Sequence, residues 1–174
     1  GTTDNNDLVF KRNNTTAGRF GSSNLALGIN SNPTFTGTNN ISFGAESLFS
    51  NTIGSRNTAI GYRTLHDNTT GNDNSANGYQ ALYSNTTGNY NIAIGEESLQ
   101  ANTTGSGNLA TGWQSMYTNS TGANNSAYGI QSLYSNTSGG NNCAFGFNSL
   151  YSNNIGTNNS AFGIDSLNNN DTGS

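Results

Sequence analysis

Two series of glycine residues, each repeating every 17 positions, constrain this sequence more than any other feature. The first series is Gly44, Gly61, Gly78, Gly95, Gly112, Gly129, Gly146 and Gly163, and the second is Gly54, Gly71, Gly88, Gly105, Gly122, Gly139, Gly156 and Gly173. A strict period is typical of proteins in which each repeat contacts its neighbours in the same way. Because a segment of 17 residues cannot bury its own apolar face, the copies are expected to stack into a continuous solenoid.

Two columns of apolar residues within the repeat mark the interior of the coil. The larger column is Leu48, Leu65, Leu82, Leu99, Met116, Leu133, Leu150 and Leu167. The smaller column is Ser42, Ala59, Ala76, Ala93, Ala110, Ala127, Ala144 and Ala161. Such uniform columns are typical of a packed interior, where a change of one methylene is felt. We predict that the leucines fill the core and that the alanines let the opposite wall approach.

The remaining positions predict an all-β fold, a parallel β-solenoid or β-roll of 17-residue coils with two short strands each. The predicted order is a strand Asn-x-Ala-x-Gly-x, a link, a strand Ser-Leu-Tyr-x-Asn and a Thr-Thr-Gly turn, which leaves no room for an ordinary helix. Two further columns contain only asparagine, beginning at Asn40 and Asn51. Stacked asparagine amides can bond along a ladder, and asparagine and glycine both tolerate the left-handed backbone of tight turns.

The N-terminal part departs from the repeat. Residues 1–21 read as a non-repeating hairpin or cap, with two short strands around the turn Asn13-Asn14. The repeat array is assigned to residues 22–174, with a degenerate first coil at 24–40, which contains Pro33, and regular coils from 41. The chain begins without methionine and stops inside a copy, so it is interpreted as a fragment or processed piece.

Side chains next to the alanine column are expected to point outward, because successive residues of a strand face opposite sides. Several are bulky and apolar, and the core of one coil buries little area for the residues that it orders. We therefore predict that this outward face contacts other chains, with a homotrimeric rod as the simplest closed arrangement. The candidate inter-chain contacts are Phe43, Ile60, Ile92, Ile94, Leu109, Phe145 and Phe162.

Composition excludes several classes of partner and site. The formal net charge is −4, and no lysine or arginine follows Arg63, which argues against nucleic-acid binding. No stretch approaches the roughly 20 apolar residues that cross a bilayer, so membrane insertion is not expected. Cys143 is the only cysteine, which excludes an internal disulfide framework and a metal site built from a cluster of cysteines.

The repeat resembles those of two groups of surface proteins. Ala-Ile-Gly at residues 59–61 and 93–95 resembles the head repeat of trimeric autotransporter adhesins, a family of left-handed parallel β-rolls with three chains side by side. The longer unit at residues 74–88 is similar to repeats of phage and bacterial tail-fibre-like proteins, in which a lead-in similar to residues 7–12 precedes the array. This resemblance implies a trimeric fibre that acts in attachment.

No residue pattern predicts catalysis, a metal site or a cofactor. His66 is the only histidine and lies in a mostly aromatic column, and the adjacent Glu96 and Glu97 would face opposite sides of a strand.

Two columns could bind a ligand. A surface ladder of tyrosines suited to stacking on sugars comprises Tyr83, Tyr117, Tyr134 and Tyr151. The threonine pairs at 69–70, 86–87 and 103–104 form the kind of hydroxyl ladder that ice-binding solenoids use.

The sequence thus predicts a non-enzymatic structural segment of an extended oligomeric fibre, tail-fibre-like or adhesin-like, that presents a receptor-binding tip for attachment. The expected location is extracellular or on a virion surface, and a cell-surface glycan or another receptor is the expected external partner. An ice-binding solenoid and a carbohydrate-binding module are the alternatives.

Overall fold

The computed structural model describes residues 8–34 and 37–173, and this part of the chain forms one sheet of eleven strands without a helix. The strands are β1 (Leu8–Arg12), β2 (Thr15–Phe20), β3 (Leu25–Leu27), β4 (Ile41–Phe43), β5 (Thr58–Ile60), β6 (Ser75–Asn77), β7 (Ile92–Ile94), β8 (Leu109–Thr111), β9 (Ser126–Tyr128), β10 (Cys143–Phe145) and β11 (Ser160–Phe162). Neighbours from β3 to β11 pair in parallel, and from β4 onward each residue pairs with the one 17 positions later, as Ala59 does with Ala76. The predicted parallel β-solenoid is therefore confirmed.

Each coil contains one strand of three residues, so the predicted second strand is wrong. In the coil that begins with β5, Arg63 and Leu65 have positive φ angles of 54° and 51°. These left-handed residues break the alternation of a strand, and the consecutive Thr64 and Leu65 are both fully buried. The segment still bonds to both neighbouring coils, with Arg63 donating to the Ala45 carbonyl and Leu65 to the Ala81 carbonyl.

The leucine and alanine columns form the core, as predicted. Leu48 through Leu150, with Met116, are inaccessible to solvent, and the alanines from Ala59 to Ala161 are at most 1% exposed. Leu167, in the last coil described, is 48% exposed because no described coil covers it. The interior is therefore continuous along the array, and its apolar burial depends on a coil on either side.

The two glycine series are required for different reasons. Gly61 combines a φ of +131° with a position where a Cβ would overlap the Gly78 carbonyl of the next coil. Gly71, in the Thr-Thr-Gly turn, does not have positive φ, so the tolerance of glycine for left-handed backbone is not what this position requires. A Cβ there would instead overlap the Asn68 side chain and lie 2.5 Å from the Gly88 carbonyl oxygen, so close packing excludes any larger residue.

Both asparagine columns form the predicted ladders inside the coil. In the first column, the Asn74 amide nitrogen donates to the Asn57 side-chain oxygen at 3.1 Å and to the Gly88 carbonyl at 2.9 Å. In the second, Asn85 donates to the side-chain oxygen of Asn68 at 2.8 Å. None of the described residues in these columns has positive φ, so the expected role in left-handed turns is wrong for them. The ladders satisfy buried polar groups that would otherwise destabilise the fold.

An antiparallel hairpin precedes the first coil. Strands β1 and β2 pair around Asn13 and Asn14, whose φ angles of 49° and 61° suit a tight hairpin turn. Strand β2 then pairs antiparallel with β3. The hairpin therefore covers the backbone edge that β3 would otherwise expose at this end of the stack.

Candidate functional site

The outward side of the sheet carries the residues predicted to contact other chains. Ile60, Ile92, Ile94, Phe145 and Phe162 are exposed on it, whereas Phe43 and Leu109 are half-buried. The alanine between each outward pair points into the core. The structure thus brings all seven to one surface.

A second column of exposed apolar residues directly follows the first glycine series, two positions after the outward strand residue of each coil, and sequence reasoning missed it. The column comprises Tyr62, Tyr79, Trp113, Ile130, Phe147 and Ile164. A signal was present, because this position is large and apolar in six of the eight copies, with Ala45 and Glu96 as the exceptions. We use the name apolar face for the thirteen large exposed side chains Ile41, Ile60, Tyr62, Tyr79, Ile92, Ile94, Trp113, Tyr128, Ile130, Phe145, Phe147, Phe162 and Ile164.

The apolar face is densest at the coils of β9, β10 and β11. Tyr128, Phe145 and Phe162 stack with ring centroids 5.9 and 5.4 Å apart. Ile130, Phe147 and Ile164 lie in the adjacent column, and these six side chains are 38–74% exposed. At about half exposure, aromatic and aliphatic groups of this size present about 500 Å² of apolar surface, as large as the interaction patches seen on soluble proteins.

The tyrosine column forms a stack along the surface. The ring centroids of Tyr117 and Tyr134 are 5.2 Å apart, and those of Tyr134 and Tyr151 are 5.0 Å apart, with nearly parallel planes. Tyr83 stacks on His66 instead, at 5.0 Å. Because neighbouring rings cover both faces of Tyr134, its ring cannot stack on a sugar. Burial raises the pKa of the Tyr134 hydroxyl, and Tyr151 and Tyr117 add to the shift.

The first threonine column is occupied by contacts between coils. The hydroxyl of Thr69 donates to the Thr86 carbonyl at 3.0 Å, and Thr86 donates to the Thr103 carbonyl at 3.0 Å. These donors are therefore engaged within the solenoid, which leaves the second column, including Thr70 and Thr87, as the accessible one.

Several charged residues form local pairs. Arg56 binds Asp73 through two hydrogen bonds of 2.6 and 2.8 Å, which lowers the pKa of Asp73. His66 bonds to Asp67 at 2.6 Å. Among residues 8–34 and 37–173, no group of three or more histidine, cysteine or acidic side chains could hold a metal ion.

A polar groove runs between two columns near the C-terminal end of the array. Its volume is about 580 Å³, and it is lined by Thr118, Ser135, Thr137, Ser152, Asn154, Asn169 and Asp171. The groove shares no residue with the apolar face. The sequence had indicated the neighbouring tyrosines but not this groove.

Comparisons of the chain with protein-family models, curated proteins and solved structures found no match. The resemblance to adhesin and tail-fibre repeats therefore stays a prediction. Within the described part of the chain, no helix has the length and apolar character to cross a membrane.

Proposed function

We propose that this chain is a structural segment of an extended oligomeric fibre, in which the solenoid holds a receptor-binding tip at a distance for attachment. The observation that carries the proposal is the continuity of the internal ladders. From β4 to β11, each coil donates backbone and asparagine side-chain hydrogen bonds to its neighbours, and the leucine side chains of successive coils pack together. A strand spacing of about 4.8 Å gives the eight coils a length of roughly 40 Å.

Such an array suits a spacer because repeats can be added without a new kind of contact. Each coil contacts only its neighbours, so length scales with copy number while the cross-section stays constant. Load along the axis is shared by backbone and side-chain ladders in every coil. In the proposed role the fibre acts outside a cell or on a virion surface.

The apolar face supports lateral assembly of several copies. Its thirteen side chains together expose roughly 1,000 Å², comparable with the ~800 Å² per partner of a standard protein interface. A second copy of the same chain presents ridges at the same spacing, so side chains can interdigitate at every coil along the rod. Three rods that turn this face inward would form a homotrimer and leave the grooves accessible.

The length of the particle tests the spacer role. Duplicating residues 75–142, four coils, should lengthen the particle by about 19 Å in small-angle X-ray scattering without changing its cross-section. Duplicating residues 75–134 is the matched control, because this segment does not contain a whole number of coils and should disrupt stacking. An unchanged length after the four-coil duplication would contradict the proposal.

Native mass measurement tests lateral assembly separately. We expect a trimer for the natural chain and a monomer after Phe145→Ser and Phe147→Ser, while Asn77→Ser on the same side should keep the trimer. A monomeric natural chain would refute lateral assembly but not the rod itself.

A thermal-hysteresis assay distinguishes the fibre from the ice-binding alternative, since a passive spacer does not shape ice.

A further inference from the structure

The groove near the C-terminal end has two polar walls that repeat from coil to coil. Thr118, Ser135 and Ser152 form one wall, in the column directly after the stacked tyrosines. Thr137, Asn154 and Asp171 form the other wall. A volume of about 580 Å³ lies within the range of about 300–1,000 Å³ that is usual for small-molecule sites.

Several groups on these walls have hydrogen-bonding capacity left over. The Thr137 hydroxyl donates to the Asn154 side-chain oxygen at 2.6 Å, which fixes that amide and leaves its nitrogen as a donor. The hydroxyls of Ser135 and Ser152 and the carboxylate of Asp171 form no side-chain hydrogen bond within the described residues. The groove thus combines free donors and acceptors spaced along the fibre axis.

The chemistry of the lining selects the class of ligand. No lysine or arginine follows Arg63, so the groove offers no cation to bind phosphate, sulfate or a carboxylate. The exposed lining is mostly carbon, with hydroxyl, amide and carboxylate groups set into it, and such a mixed surface suits a ligand that has both C–H faces and hydroxyls. A neutral polyhydroxylated ligand matches these groups, since adjacent hydroxyls can donate to Asp171 and accept from the asparagine amide.

The neighbouring tyrosines add a stacking surface at the C-terminal end of their column. Tyr134 lies between two rings, whereas Tyr117 and Tyr151 are the end rings of the stack, and no aromatic ring of the described residues covers the outer face of Tyr151. Asn168 follows in that column, one coil later. A sugar ring placed beside Ser152 could therefore use this face, as saccharides commonly do with exposed aromatic rings.

We propose that this groove binds a neutral linear oligosaccharide along the fibre axis, with successive sugar rings at successive coils. The site goes beyond the proposed structural role, because a rod can act as a spacer without it. A repeated groove of this kind would give weak contacts that add up along an extended glycan.

The test uses the full chain on an array of neutral hexose oligosaccharides of increasing length, with sulfated and sialylated oligosaccharides on the same array. We expect binding to neutral chains that strengthens with length. Ser135→Trp should fill the groove and weaken binding at least roughly tenfold, the loss of one or two good hydrogen bonds. Ser84→Trp is the matched control, since it occupies the same column three coils earlier, outside the groove.

Asp171→Asn is the second variant, because it preserves shape and should weaken binding at least roughly threefold even if the bulky substitution disturbs folding. Absence of binding to neutral chains, preference for the anionic ones, or equal binding by both groove variants and the natural chain would overturn the proposal. None of these results would alter the particle length or mass, so failure of the glycan site is distinguishable from failure of the structural role.

Discussion

Replacement of Asn108, in the middle of the array, is the most direct test of whether the asparagine ladder stabilises the fold. The amide nitrogen of Asn108 donates to the Asn91 side chain at 3.2 Å and to the Gly122 carbonyl at 2.8 Å. Its oxygen accepts from the backbone and side-chain nitrogens of Asn125 at 3.0 and 3.2 Å. Asn108→Ala therefore removes four hydrogen bonds from a residue that is 2% exposed.

The cost of Asn108→Ala depends on which groups keep another partner. The Asn91 oxygen still accepts from the Asn108 backbone, the Gly122 carbonyl from Asn119, and the Asn125 side chain still donates to Gly139. Only the Asn125 backbone N–H is left without a partner. The orphaned N–H costs about 1–3 kcal/mol and the other three lost bonds about 0.5 kcal/mol each, so we expect about 3 kcal/mol.

Urea unfolding followed by circular dichroism measures this loss. The midpoint should fall by about 1–2 M with an unchanged slope. Asn77→Ala is the matched control, because this asparagine lies exposed on β6, and it should change stability by less than about 0.5 kcal/mol. If Asn108→Ala is as stable as Asn77→Ala, the ladder does not stabilise the fold.

Asn108→Asp should lower the stability at neutral pH, and part of the stability should return in acid, where the buried carboxyl is protonated and can donate a hydrogen bond.

Three further predictions concern the core and two titrating groups. Leu99→Ala should destabilise by about 2–5 kcal/mol in urea unfolding, and Leu167→Ala, at the exposed end of the same column, by clearly less; equal losses would contradict the continuous core. Since the folded state raises the pKa of Tyr134, stability should be level below its ordinary value of 10.0 and fall as the pH rises past it, and Tyr134→Phe should reduce that fall in alkaline melts. Arg56 lowers the pKa of Asp73, so this pair's stabilisation should be lost as the pH falls below 3.8, a loss that Asp73→Asn should abolish in acid titrations.

The period and the composition of its columns made most of the fold predictable. Leucine and alanine recur at fixed positions because each faces an identical neighbour, and their burial follows directly from that repetition. The asparagine ladders were predictable for the same reason, since a polar residue retained in every coil needs a partner supplied by every coil.

The backbone of the second half of each coil could not be predicted from these patterns. Leucine rarely adopts positive φ, yet Leu65, Leu82 and Leu99 have φ of 51–52°. Local preference gives no sign of this conformation, which the surrounding ladder and the buried side chain enforce together. The column after the first glycine series was also missed. The alternation of a strand was used only to assign the residues on either side of each alanine, and this column lies beyond them.

The N-terminal hairpin solves a problem of alignment that the repeat creates. Since the coils are nearly interchangeable, a chain displaced by one whole repeat would regain most of its contacts, and folding could settle in a shifted frame. Strand β2 pairs with β3 in the opposite direction, and β3 pairs with β4 at an offset of 16 instead of 17, as Ala26 does with Ser42. That irregular junction occurs once in the described residues, so it fixes the pairing register of the first coil, and each later coil takes its register from the one before.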